Sequence, residues 1–121
     1  MLKRLFGALA RLVGRPEPVI TLPRYSLRVF GDRGSATEAA KNQYAAAVIR
    51  SDGIDKWCLF TCPCGCGQQI ALNLMKSHFP RWRVDTKRDG TFSLYPSVDS
   101  TTCGAHFLIR NSQVVWCEGR S

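Results

Sequence analysis

Three cysteines stand within five residues, Cys62, Cys64 and Cys66, separated only by Pro63 and Gly65. Thiolates in that density suit a borderline-soft ion such as zinc, which takes four ligands in a tetrahedron at a structural site. In a fully extended strand the three sulfurs would share one face yet lie too far apart to share an ion, because each residue advances about 3.3 Å. Gly65 and Gly67 tolerate positive φ, so the chain can curl around a metal and aim its amide N–H groups at the sulfurs. A fourth ligand must come from elsewhere, and the candidates are Cys103, Cys117, Cys58, His106 and His78. Cys103 is preferred: it sits in a polar stretch beside Gly104, whereas Cys58 and Cys117 follow Trp57 and Trp116 in apolar stretches, where a free cysteine behaves as a small buried hydrophobe. The alternatives are a site that uses only two of the triplet, and a cluster of inert thiols.

Six cysteines in a short chain also raise a disulfide framework. Three thiols so crowded cannot all find partners at disulfide distances, which argues against it. The first 14 residues do not read as a secretory signal, since Arg11 interrupts their apolar stretch and the Ala8-Leu9-Ala10 triplet comes too early. A reducing, cytoplasmic setting and metal binding are the expectation.

The elements that must hold these cysteines read as mainly β, with α+β as the alternative: a small antiparallel β domain with a structural zinc site and an N-terminal amphipathic helix. Leu2, Leu5, Phe6, Leu9, Leu12 and Val13 recur at helical spacing, and Arg15-Pro16-Glu17-Pro18 then breaks regular structure. Residues 1–18 are thus expected to be a helix and linker, and residues 19–121 one zinc-containing β-rich domain. The helix fits packing on its own domain or on a partner, or lying on a membrane surface. Val19 to Phe30 predicts an edge strand interrupted by Pro23. Ser35 and Glu38 have capping-box spacing for a helix to Lys41. Tyr44–Arg50 and Lys56–Thr61 read as strands around a turn containing Asp52-Gly53, and Gln69–Leu74 as a strand leaving the cysteines. Arg81–Val84 and Thr91–Tyr95 form a second expected hairpin around Asp89-Gly90. The pattern then breaks at Pro96 and resumes at Ala105–Ile109 and Val114–Trp116.

Phe60-Thr61-Cys62-Pro63-Cys64-Gly65-Cys66-Gly67, then Pro96-Ser97-Val98, then Cys103-Gly104-Ala105-His106-Phe107 form an ordered set of motifs. Over residues 44–117 the chain resembles the BubE family, encoded in bacterial ubiquitination-like operons. The resemblance implies a serine peptidase with a serine–histidine dyad that acts on a ubiquitin-like protein, with other proteins of the same operon as partners. It places the serine at Ser97, the histidine at His106 and the cysteines at Cys62, Cys64, Cys66 and Cys103. Ala105 departs from the family pattern, which commonly has a serine there; if that serine orients the imidazole, weaker activity is implied.

The chemistry can be weighed on its own terms. A serine hydroxyl needs a base to take its proton, and neutral imidazole is the usual one near pH 7. If Ser97 and His106 face each other across two strands, residues 98–105 become an eight-residue connection containing Cys103, and zinc braces the loop that sets the dyad geometry. Asp99 or Asp89 could orient His106, although both read more simply as turn residues capping their own backbone. Taken without the resemblance, Ser97 after Pro96 reads as a turn. His106 reads as a core histidine, or as a metal ligand paired with Cys103, and His78 as a surface loop residue.

Apolar residues make up 45% and charged residues 21% of the 121-residue chain, ordinary for a globular protein. No apolar run approaches the roughly 20 residues that cross a bilayer. Of the formal charge of +8, residues 1–28 carry +5 (Lys3, Arg4, Arg11, Arg15, Arg24 and Arg28 against Glu17) and the other 93 residues only +3. Nucleic acid is therefore not the expected partner, because phosphate neutralisation needs a basic stripe on the folded body. The competing function is a non-catalytic zinc-ribbon-like module that binds protein or nucleic acid.

Overall fold

The structure, a computed structural model, describes residues 24–117. The expected helix and linker of residues 1–18 lie outside that range. The described chain is mainly β. Strands β1 (Ser26–Phe30), β2 (Ala45–Ser51), β3 (Ile54–Thr61) and β4 (Gln69–Asn73) form one sheet in sequence order. Strands β5 (Arg83–Thr86), β6 (Phe92–Asp99), β7 (His106–Arg110) and β8 (Gln113–Trp116) form a second, again in sequence order.

Alternation of side chains assigns the layers. In β2, Ala46 and Val48 face the second sheet while Ala47 and Ile49 face helix α1 (Arg33–Ala40). Cys58 and Phe60 of β3 likewise face the second sheet, and Leu59 faces the helix. A strand covered on both faces is apolar at successive positions, which is why Trp57-Cys58-Leu59-Phe60 reads as a run rather than an alternation. Phe60, Phe92 and Phe107 are fully buried between the sheets, and Phe60 and Phe107 meet edge to face with ring centroids 6.1 Å apart. The helix presents only Ala36 and Ala40 to its sheet, so the contact is close but small.

Turn chemistry sets the registers. Asp52 (φ 54°) and Gly53 (φ 74°) both adopt the left-handed conformation, as a two-residue hairpin between β2 and β3 demands. Asn111 and Ser112 do the same between β7 and β8. Sequence reasoning expected antiparallel pairing, which holds everywhere except between β1 and β2. That pair is parallel because α1 carries the chain back across the sheet. The helix also starts earlier than Ser35: Asp32 is the N-cap and accepts from the Ser35 amide at 2.8 Å, so Ser35 is the recipient of the cap and not its source.

Beyond Tyr95, where the pattern was expected to break, β6 runs on through Pro96 to Asp99. Leu94 pairs with Ile109 but Val98 pairs with Phe107, so Tyr95, Pro96 and Ser97 together stand opposite Leu108 alone. This bulge lets a strand absorb a proline and still continue.

Candidate active site and metal centre

The cysteine loop begins where β3 ends. The Cys62 amide donates to the Gln68 carbonyl at 2.8 Å, closing a loop in which Gly65 (φ 94°) and Gly67 (φ 84°) make the turns that only glycine makes easily. The Gln68 amide points at the Cys66 sulfur at 3.4 Å. Cys103 arrives from the β6–β7 connection, which is pinned by the Ser100 amide on the Ala105 carbonyl and the Gly104 amide on the Ser100 carbonyl, each at 2.8 Å.

The four sulfurs of Cys62, Cys64, Cys66 and Cys103 all lie within 4.8 Å of one another. Cys103 Sγ is 3.7 Å from both Cys62 Sγ and Cys64 Sγ. Four sulfurs at a zinc–sulfur distance of about 2.3 Å in a tetrahedron are separated by about 3.8 Å, so the two Cys103 separations match that spacing and the set is compatible with such an ion. The Ser100 hydroxyl and the Ala105 amide draw the Cys103 thiol down to about 6, whereas burial pushes Cys62 up.

Ser97 and His106 are brought together beside this loop. Val98 and Phe107 point into the core, so their neighbours Ser97 and His106 point to the outer face of the second sheet. Ser97 Oγ lies 3.1 Å from His106 Nε2. Opposite His106 in the ladder stands Asp99, two residues beyond Ser97, so Ser97 and His106 form a diagonal cross-strand pair. The connection holds six residues, 100–105, rather than eight, because the strands extend further than expected.

His106 Nδ1 is buried and has no hydrogen-bond partner within the described chain. Neither aspartate considered as a third member takes its proton. Asp89 Oδ1 instead accepts from the Thr91 amide and hydroxyl at 2.9 and 2.7 Å, capping its own turn. A cleft of about 270 Å³ beside His106 reaches from Cys64 and Cys103 to Trp116 and Cys117.

The other ligand candidates are not members of the sulfur cluster. Cys58 is buried in the core, where desolvation pushes its thiol up to about 12. The Cys117 amide donates to the His106 carbonyl at 2.9 Å, but its sulfur is not among the four. His78 is exposed in the loop after β4, with Nδ1 2.9 Å from Ser77 Oγ.

Sequence reasoning missed two residues that frame the site. The Trp82 indole N–H donates to the Ser97 carbonyl at 3.2 Å, and the Trp82 amide donates to the Asn73 carbonyl at 2.8 Å. The buried Asn73 side chain in turn donates to the carbonyls of Met75, His78 and Pro80 at 3.0–3.2 Å and fixes the loop that delivers Trp82. An amide side chain at the end of an apolar strand was the available signal.

No helix among the described residues is long and apolar enough to cross a membrane. No curated protein and no solved structure matches the chain. A protein-family comparison matches residues 33–117, from the start of α1 through the cysteine loop and both strands of the Ser97–His106 pair. The chain belongs to the bacterial ubiquitination-like system serine protease family, BubE.

Proposed function

We propose that this chain is a serine peptidase in which Ser97 is the nucleophile and His106 the general base, and that it processes or deconjugates a ubiquitin-like protein in a bacterial conjugation pathway. The observation that carries the reading is the 3.1 Å contact between Ser97 Oγ and His106 Nε2. The family supports the reaction class, and other proteins of the same system are the expected partners; the crowded thiols make a reducing cytoplasm the expected setting.

For catalysis Nε2 must be the unprotonated nitrogen, so the imidazole keeps its proton on Nδ1. As Ser97 Oγ attacks the scissile carbonyl carbon, its proton passes to Nε2 and the carbonyl electrons move onto oxygen. When the tetrahedral adduct collapses, the carbon–nitrogen bond breaks and Nε2–H protonates the leaving amine. Nε2 then deprotonates a water that attacks the acyl carbon, and as the ester bond to Ser97 Oγ breaks, Nε2–H returns the proton to that oxygen and the acid product leaves. Among the described residues no carboxylate bonds Nδ1, so the reading is a dyad.

The cysteine set supports structural zinc held by Cys62, Cys64, Cys66 and Cys103. Such an ion supplies a cross-link, since four thiolates leave no position for a reacting water. It would tie the loop after β3 to the connection between the two dyad strands. A non-catalytic zinc module would leave the Ser97–His106 contact without a role.

The test is Ser97→Ala in the full chain. Cleavage of a ubiquitin-like fusion should be abolished with zinc content unchanged, and a fluorophosphonate should label Ser97 of the wild type. Cleavage retained by the variant would remove Ser97 as nucleophile.

A further inference from the structure

The face that carries Ser97 and His106 departs from the pattern of its own sheet. Phe107 and Ile109 of β7 are fully buried and Val114 of β8 packs against the same core, so Leu108 and Val115 turn outward. An antiparallel sheet with one covered face keeps polar residues on the other, as His106, Arg110 and Gln113 do here. Leu108 and Val115 break that rule together. They are direct ladder partners, Leu108 is only partly buried, and Val115 is 43% exposed.

Their place in the ladder says what they meet. Tyr95, Pro96 and Ser97 stand opposite Leu108, so the proposed nucleophile projects beside this pair, with His106 two residues away on the same face of β7. A carbonyl carbon attacked by Ser97 Oγ must approach it to about 3–3.5 Å, which brings the residues flanking that bond onto this face. His106 Nε2 must also reach the leaving nitrogen. The leaving side therefore lies toward His106, and the acyl side lies in the opposite direction along β7, over Leu108 and Val115.

We infer that Leu108 and Val115 form the subsite for the side chain on the acyl side of the scissile bond, and that this side chain is apolar. The inference rests on the reading of Ser97 as nucleophile and adds the class of residue at the point of cleavage. An apolar side chain laid across the pair removes both surfaces from water. A charged one would lose hydration against two side chains that offer no hydrogen bond.

The probes are two fluorophosphonates with the same reporter, one on an alkyl chain and one on an ethylene glycol chain of the same length, each incubated with the full chain. Labelling at Ser97, located by peptide mass mapping, should be about tenfold faster with the alkyl probe. Val115→Thr keeps the branched shape and strand preference of valine and adds a hydroxyl, and should lower the ratio of the two rates to about threefold. With Leu108→Thr added, the ratio should fall to about one. Because the ratio is taken within one protein, a smaller folded fraction lowers both rates and leaves it readable; if the double variant does not label, Val115→Thr alone decides. Equal rates in the wild type, or a ratio unchanged by the substitutions, overturn the inference while leaving Ser97 as nucleophile. Absence of Ser97 labelling by either probe in the wild type removes the nucleophile, and the subsite with it.

Discussion

The sulfur cluster and the Ser97–His106 pair lie on either side of the same six-residue connection, yet they are built in different ways. Three of the four sulfurs come from one tight loop, so most of that geometry is local and needs only glycines in the right places. The pair has no local component. Ser97 stands on β6 and His106 on β7, and the bulge opposite Leu108 decides which residues become diagonal neighbours. A loop can be written in consecutive residues, whereas a cross-strand pair exists only once a register is chosen.

Substitutions can break that contrast. The largest effect is expected at His106. His106→Ala should lower turnover of a ubiquitin-like fusion about 10⁴-fold or more, the scale seen when a member of a nucleophile–base unit is removed. Zinc measured by elemental analysis should stay stoichiometric; metal loss in this variant would make His106 a ligand and end the dyad reading. Cys103→Ala should act in the opposite order. It is expected to lose the metal and lower the thermal midpoint by several degrees, and turnover should fall because the connection between the dyad strands is released. Full activity in a metal-free Cys103→Ala protein would disconnect the two sites.

Trp82→Phe sharpens the comparison at smaller scale. Loss of the indole N–H leaves the Ser97 carbonyl without that donor and should cost about 1 kcal/mol, seen as a several-fold drop in kcat with metal content unchanged. An unaltered kcat would make Trp82 a packing residue only. The smallest effect belongs to Asp32→Ala at the N-cap of α1, which should lower the denaturant midpoint slightly and leave kcat alone. Bonds from the Ser35 amide and hydroxyl hold the Asp32 carboxyl below its ordinary value. Its contribution is therefore present above the unfolded carboxylate range and fades as pH falls through the lowered value. The difference in stability between Asp32→Ala and wild type should shrink correspondingly in acid.

Some of the fold was legible for identifiable reasons. Asp52-Gly53 and Asp89-Gly90 mark hairpin turns because their conformational demands are local, and strands read from alternation or from short apolar runs followed. Asp32 was passed over as the helix cap because Ser35-x-x-Glu38 offers the same pattern three residues later. The extension of β6 was hidden by Pro96, which normally ends a strand and here sits within a bulge. The parallel β1–β2 pair leaves the same side chains facing the core as an antiparallel one would, and only the intervening helix signals the crossover.

What the sequence determined by itself was the tight cysteine loop, the hairpin turns and the mainly β character. Each depends on residues within a few positions of one another. Cys103 was preferred from its polar, glycine-flanked position, and its sulfur does lie with the other three; the tertiary structure alone decided that Trp82 reaches Ser97 and that Ser97 and His106 become diagonal neighbours. These follow from how two sheets pack and where ladders end, and such relations join residues whose separation along the chain carries no record of their distance in space.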